Sequence, residues 1–261
     1  MKIKVKKIGT ENVKFNIFKK IDSTNLYAKK LAEKGCKQGE VVVAYEQTNG
    51  KGRLGRTFLS QKGGVYFSVV LRPGFSADDA LFTTVAAAVA AARAIEQISG
   101  KKCEIKWVND IYIDNKKVCG ILTEGVFLPQ GDLKQIILGV GINLFEPKAG
   151  FPTNLPLAGS IFDNKKYFLF KKIKKQQIIS LFLKNFFKFY ENLEKKEYIN
   201  EYQNRSFLTD KKITYKKENQ VLKATVVGID ENARLIIENE GKKEFLSYGD
   251  IQIVGMGQKE I

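Results

Sequence analysis

Apolar and polar residues alternate at Val13, Phe15 and Ile17, which predicts an edge strand within residues 1–20. Asp22-Ser23-Thr24-Asn25 then opens a helical pattern through Leu26, Tyr27 and Leu31. Asp22 or Ser23 serves as N-cap and Gly35 as the terminating glycine. The unbroken apolar run Val41-Val42-Val43-Ala44 predicts a buried strand, and Val65–Leu71 a second, ended by Arg72-Pro73. Ser76 and Asp79 resemble a capping box in front of a long alanine-rich helix, roughly 77–99, stopped by Gly100. Cys103, Ile105 and Trp107 face one way, and Glu104, Lys106 and Val108 the other, before a bend at Asn109-Asp110. Strand Ile111–Ile113, the turn Asp114-Asn115 and a strand from Lys116 read as a hairpin that returns Lys117 to Asn109 and Asp110. A further strand, Ile136–Val140, ends in Gly141-Ile142-Asn143; its glycines signal a bulge or close approach.

The pattern changes beyond residue 145. Residues 146–160, which hold three of the five prolines, read as an irregular surface loop, and 173–198 as an amphipathic helix with Ile178, Phe182, Phe186 and Tyr190 on its apolar stripe. From about 209 the texture becomes short strands with polar turns: 213–215, 221–227, 235–237, 244–247 and 251–254. That spacing predicts a small separate β-barrel of SH3 size. Two domains are therefore expected, 1–208 and 209–261. The fold class is α+β, a mixed, mainly antiparallel sheet with helices flanking one side, followed by the barrel.

Composition narrows the chemistry. The 261 residues are 44% hydrophobic, enough for a real core, and contain no histidine. Ser-His-Asp and Cys-His catalysis and His-ligated metal sites are thereby excluded. The three cysteines, Cys36, Cys103 and Cys119, read as reduced structural thiols. No apolar window of spanning length and no secretion signal is evident at this stage, so a cytoplasmic protein is expected. The net charge of +16 suggests acidic partners, or a lysine-rich compositional bias.

Against that background one stretch stands out: Gln47-Thr48-Asn49-Gly50-Lys51-Gly52-Arg53-Leu54-Gly55-Arg56. Glycines alternating with cations let backbone N–H groups approach a ligand and fix positive charge beside it, an anion cradle. The spacing matches neither a dinucleotide fingerprint nor a P-loop.

Taken together, Asp22–Asn25, Gly50–Arg56, Lys106-Trp107-Val108-Asn109-Asp110, Lys117-Val118-Cys119-Gly120-Ile121-Leu122 and Gly139-Val140-Gly141-Ile142-Asn143 resemble, in order, the motifs of the biotin protein ligases. The resemblance spans nearly the whole chain and implies the ligases' synthetase-like catalytic domain plus a C-terminal barrel. It also implies the monofunctional type, because only about twenty residues precede the Asp-Ser-Thr-Asn motif and no DNA-binding domain is expected. The implied activity joins biotin and ATP into biotinyl-5′-AMP, then passes biotin to a lysine of a biotin carboxyl carrier protein or domain of acetyl-CoA carboxylase. Mg²⁺ would accompany ATP, and no dedicated protein metal site is expected. A homodimer through sheet edges is left open by the resemblance.

The implied biotin site comprises Ser23, Thr24, Asn25, Gln47, Gly50, Lys51, Gly52, Arg53, Lys117 and Gly120. The ATP side comprises Arg53, Arg56, Phe58, Lys106, Asn109, Asp110, Lys117 and Asn143. Lys117, Arg53 and Asp110 are the expected catalytic residues, with Asp110 a candidate acceptor for the proton of the attacking lysine. Independently of the resemblance, these residue types suit the chemistry. A carboxylate and an α-phosphate must be held together against repulsion, which calls for cations and positioning. Two departures stand out: Val108 replaces the family's proline, and Phe58 its tryptophan after the glycine loop. The alternatives are a lipoate or octanoate ligase of the same superfamily and, from another class, a basic nucleic-acid-binding module.

Overall fold

The computed structural model describes residues 2–8, 11–163, 175–217, 220–247 and 251–254. An eight-stranded sheet forms its centre. The strands are β1 (Lys2–Ile8), β2 (Glu11–Phe18), β3 (Glu40–Ala44), β4 (Val65–Leu71), β5 (Glu104–Lys106), β6 (Asp110–Ile113), β7 (Lys116–Phe127) and β8 (Leu133–Ile142), in the order β1-β2-β3-β4-β8-β7-β6-β5. Only β2 and β3 run parallel; the other neighbours are antiparallel. Every residue of β4 is buried, which is why Val65–Leu71 reads as one apolar run rather than an alternation.

Both faces of the sheet are covered, so the expectation of helices on one side is corrected. Helix α1 (Thr24–Glu33) packs Ala28 and Ala32 on Val42, Val70 and Ile137. On the opposite face, Val41, Val43, Phe67 and Val69 meet α2 (Ala80–Ser99) and α3 (Lys175–Tyr190) in the main core. The ring centroids of Phe67 and Phe182 lie 5.1 Å apart and those of Phe182 and Phe186 5.7 Å apart, so the aromatic stripe is core packing. The N-terminal edge strand is also revised: β1 and β2 pair antiparallel, with Lys2 opposite Ile17 and Ile8 opposite Glu11. Of β1 only Ile8 is buried, so its pattern carries no inward-facing set to read, and its lysines suit an open edge.

A short 3-10 turn, Ala77–Asp79, precedes α2, which ends at Gly100 with φ 69°. The Ser76 and Asp79 side chains bond each other, not the backbone as a capping box would. By length and mean hydropathy (1.3) α2 alone could cross a membrane, which corrects the expectation that no such window exists, yet 72% of that window is buried in this core. The helix expected over 173–198 ends as α3 at Tyr190 and is followed by a 3-10 turn, Leu193–Lys195; a separate helix, α4 (Ile199–Asn204), begins just beyond that span, and residues 173 and 174 lie outside the described residues.

The C-terminal strands β9 (Lys212–Lys217), β10 (Gln220–Ile229), β11 (Leu235–Asn239), β12 (Lys242–Leu246) and β13 (Ile251–Ile253) form a second, five-stranded antiparallel sheet. It is tied to the first at one bend. Trp107 Nε1 donates to the Ala233 carbonyl at 2.8 Å, and Tyr202 OH to the Val108 carbonyl at 3.0 Å. The peptide between Trp107 and Val108 is cis.

An ionic knot anchors α2 to α4. Arg205 donates from Nη1 and Nη2 to both Glu96 oxygens at 2.6 and 2.8 Å, and from Nε and Nη2 to Glu201. Burial pushes the Glu96 carboxyl up, but the Arg205 hydrogen bond and charge outweigh it and hold the group below 4.5. Arg93 still pairs with Glu201, but truncating Arg205 leaves Glu96 without its cation, so Arg205→Met should lose about 3 kcal/mol in urea unfolding at pH 7. Because the carboxyl is depressed in the fold, that difference should shrink as pH falls below 4.5.

Lys175 behaves oppositely. Its ammonium donates to the Gly64 carbonyl at 2.5 Å and lies 5.0 Å from the Tyr45 ring centroid, and burial lowers its pKa to about 8. A lysine more acidic folded than unfolded holds fewer protons in the native state between about pH 8 and 10.5. Wild-type stability should therefore rise there, relative to Lys175→Met, by up to about 1.4 kcal/mol per pH unit. Denaturant titrations of both proteins at pH 7.5 and 9.5 test this.

Candidate functional site

The cleft lies over the ends of β3, β7 and β8, where the sheet surface carries glycine. Gly120 and Gly141 are direct cross-strand partners, and Gly139 pairs with Leu122. An added Cβ would come 2.8 Å from the Phe58 ring at Gly120 and 2.6 Å from it at Gly141, and would overlap the Asn25 amide at Gly139. The bare strands thus make room for Phe58 and Asn25 to lie directly on the backbone. This is the close approach that glycines in a strand signal.

The first wall is the start of α1. Ser23 is its N-cap, accepting from Leu26 N at 3.4 Å, and Ser23, Thr24 and Asn25 all line the cleft. Thr24 donates its backbone N–H to Gln47 Oε1 at 2.7 Å, and Gln47 Nε2 donates to Ser60 Oγ at 2.8 Å.

The glycine-cation loop is the second wall. It closes on itself: Gly52 N donates to the Arg56 carbonyl at 2.7 Å, Phe58 N to the Gly50 carbonyl at 2.9 Å, and Arg53–Gly55 make a 3-10 turn. Lys51, Gly52, Arg53 and Arg56 line the cavity. Gly50 does not; it sits behind the wall, where a Cβ would overlap the Phe58 carbonyl and the Ser60 hydroxyl.

The third wall is the bend and the hairpin. Asp114 and Asn115 have φ 49° and 60°, the left-handed pair of a tight hairpin turn. That turn folds Lys117 back so that its Nζ lies 2.7 Å from Asp110 Oδ2. Asp110 Oδ1 is buried and has no hydrogen-bond partner among the described residues. Arg53 Nη1 donates to Asn109 Oδ1 at 3.2 Å, and Asn109 Nδ2 to the Ile121 carbonyl at 2.6 Å, joining the loop to the hairpin. Lys106 Nζ donates to the Ile251 carbonyl at 3.3 Å, which brings the C-terminal sheet to the rim. The Lys117 ammonium lies 5.8 Å from the Phe58 ring centroid.

Two adjoining cavities result. One of 260 Å³ is lined by Ser23, Thr24, Asn25, Gln47, Lys51, Gly52, Arg53, Arg56, Phe58, Lys106, Asn109, Asp110, Lys117 and Gly120, among others. The other, 360 Å³, shares Arg56, Phe58, Lys106, Lys117 and Ile251 with it and adds Asn143, whose amide donates to the Gly159 carbonyl at 3.0 Å. Lys51, Arg53, Arg56, Lys106 and Lys117 are cationic, and among the described residues Asp110 is the single carboxylate lining either cavity. Such a pair of chambers can hold two anions side by side. The loop 146–160 is laid along β7, Lys117 N donating to the Leu157 carbonyl at 2.7 Å.

Apart from Gly50, the structure brings every residue expected of the site to these cavities. Sequence reasoning missed Ser60, Ser68, Glu124, Leu155 and Ile251. Ser68 had a signal, the one small polar residue inside the apolar run Val65–Leu71, whereas Ile251 arrives only through tertiary packing. Burial raises the thiols of Cys119 and Cys103, the latter to about 12, so neither supplies a thiolate.

The arrangement of sheet, cleft and C-terminal sheet is similar to that of solved biotin protein ligases. The biotin protein ligase of Aquifex aeolicus, solved in complex with biotin and ATP, superposes with a TM-score of 0.69 over 92% of this chain and 97% of its own, at 26% identity. A Leishmania major biotin protein ligase, in complex with biotinyl-5-AMP, shares the fold with a TM-score of 0.60 at 20% identity. Residues 17–143 match the Biotin/lipoate A/B protein ligase family. The bifunctional ligase/repressor BirA of Bacillus subtilis is 40% identical over 136 residues, covering 52% of this chain and 42% of the relative. The biotin–[acetyl-CoA-carboxylase] ligase of Paracoccus denitrificans is 37% identical over 132 residues, 49% of this chain and 54% of that one. The chain thus spans about half the length of the curated relatives it matches.

Because Gly50 has backbone and hydroxyl in contact on the side a Cβ would take, Gly50→Ala should cost about 1–3 kcal/mol in urea unfolding. Gly55→Ala, where nothing lies within 4 Å of the added methyl but φ is 73°, should cost about 1 kcal/mol and serves as the comparison.

Proposed function

We propose that this protein activates biotin with ATP to biotinyl-5′-AMP and transfers the biotin to a lysine of a biotin carboxyl carrier protein or domain. The observation that carries this reading is the concentration of Lys51, Arg53, Arg56, Lys106 and Lys117 around two joined cavities with one carboxylate. In the first step a biotin carboxylate oxygen attacks the α-phosphorus and pyrophosphate leaves, with no base required because the acid is ionised at neutral pH. Lys117 and Arg53 hold the carboxylate and the α-phosphate together, and Arg56 adds charge for the phosphates. Lys106, Asn109, Phe58 and Asn143 serve the nucleotide side.

Ser23, Thr24 and Gln47 meet the ureido ring. A ligand without donors and acceptors, such as a dithiolane, would leave them unpaired at about 1–3 kcal/mol each, which favours biotin over lipoate. In the second step the acceptor amine attacks the anhydride carbonyl, AMP leaves and one proton is released, for which Asp110 is the nearest carboxylate. Asp110, with a buried oxygen that has no hydrogen-bond partner among the described residues, also fits as the one protein ligand of a nucleotide-borne Mg²⁺ held otherwise by phosphate and water. The reading places the protein in the cytoplasm, where its charge of +16 would steer an acidic carrier domain toward it.

Exchange of labelled pyrophosphate into ATP tests the first step. It should depend on biotin and fall at least about 100-fold in Lys117→Ala. Exchange supported by lipoate alone would move the protein to the lipoate ligases, and exchange with neither would overturn the proposal.

A further inference from the structure

A chain of hydrogen bonds runs from the exposed side of β7 to the cleft wall. Asn25 Nδ2 donates to Glu124 Oε2 at 2.5 Å, which turns the Asn25 amide oxygen inward to Ser68 Oγ, also at 2.5 Å. Ser68 Oγ lies a further 2.8 Å from Thr24 Oγ1, and Thr24 Oγ1 3.0 Å from Gln47 Oε1. Ser68, Thr24 and Asn25 are all buried, Ser68 completely, so the bonds around Ser68 are shielded from water, while Glu124 at the outer end is exposed.

The chain allows two sets of directions, and both send the Thr24 proton into the wall. A carboxylate only accepts, so the Asn25 N–H must point at Glu124 and its oxygen must take a proton. Ser68 has a single proton, and that oxygen takes it. The contact between Ser68 and Thr24 must then be filled by the Thr24 proton, or that proton goes to Gln47 Oε1. Either way it points into the wall. Thr24 therefore offers the cavity lone pairs only. Gln47 is fixed in the opposite sense: Oε1 accepts from the Thr24 backbone and Nε2 faces Ser60, whose own proton goes to the Phe58 carbonyl at 2.9 Å. Its remaining Nε2 proton is a donor.

From this geometry we propose that Glu124, which lines neither cavity, is a positioning residue. Acting through Asn25 and Ser68, it makes the Thr24 hydroxyl an obligate acceptor for a ligand N–H. The inference rests on the biotin reading for its ligand and on the hydrogen-bond directions for its logic. Without the carboxylate, Asn25 is free to turn its amide over, Ser68 can release its proton to Thr24, and the preference for an N–H is lost.

The test compares Glu124→Ala and Glu124→Gln with wild type. Glutamine keeps an acceptor oxygen but adds a donor, so it allows either orientation of the Asn25 amide and should rescue only in part. In biotin-dependent pyrophosphate exchange, Glu124→Ala should raise KM for biotin about tenfold with kcat within twofold, corresponding to the loss of about 1.4 kcal/mol. It should also narrow the preference for biotin over biotin methylated on a ureido nitrogen, while Glu124→Gln lies between the alanine variant and wild type. The Asn25 side-chain amide resonance, read by NMR without ligand, should move in Glu124→Ala and less in Glu124→Gln. An unchanged KM, an equal failure of both variants, or an unmoved amide resonance would overturn the proposal. Absence of exchange in wild type would instead overturn the biotin reading, and the NMR comparison would still decide the hydrogen-bond chain.

Discussion

The site depends on a place where the sheet has no side chains. Gly120, Gly139 and Gly141 leave two neighbouring strands bare, and Phe58, Asn25 and the Lys117 stem lie on that surface at contact distance. Any Cβ there would lift one of them. Strand glycines weaken a sheet, and here the loss is offset by neighbours that are fully buried: Val118, Cys119, Ile121, Leu138, Val140 and Ile142. The bare patch is possible because the strands around it are held so firmly.

Positive charge is then brought to that floor from three directions. The glycine-cation loop supplies Lys51, Arg53 and Arg56, the bend Lys106 and the hairpin Lys117. Like charges crowded together repel, so each needs a local partner when no anionic ligand is bound. Lys117 has Asp110 at 2.7 Å, Arg53 has the Asn109 oxygen and Lys106 the Ile251 carbonyl. These contacts are satisfied in the protein alone and can be exchanged for phosphate or carboxylate oxygens. The polar wall of α1 works differently, because its bonds run among neutral groups anchored on the one carboxylate of Glu124, which fixes the directions of the Asn25 and Ser68 bonds.

Rigidity at the bend comes from outside the sheet. Trp107 is pinned by the Ala233 carbonyl and Val108 by Tyr202, while Arg205 ties α4 to Glu96 of α2. The C-terminal sheet thereby helps position Asn109 and Asp110, although among its described residues only Ile251 and Ile253 line the cavities.

Much of this was legible in the order of residues. Local signals do not need distant partners: the apolar runs of β3 and β4, the Asp114-Asn115 turn, the Ser23 cap and the glycine-cation loop all state their geometry within a few positions. The turn was enough to place Lys117 beside Asp110. The exposed strand β1 was not legible, because a strand with one buried residue shows no period, nor was the coverage of both faces. Gly50 looks like a ligand contact by composition but packs behind the wall, a distinction set by Phe58 and Ser60 folding back over it. Glu124 and Ile251 had no local signature. Their contacts reach Asn25 and Lys106, 99 and 145 residues away in the chain, and proximity across such separations is decided only when the sheets close.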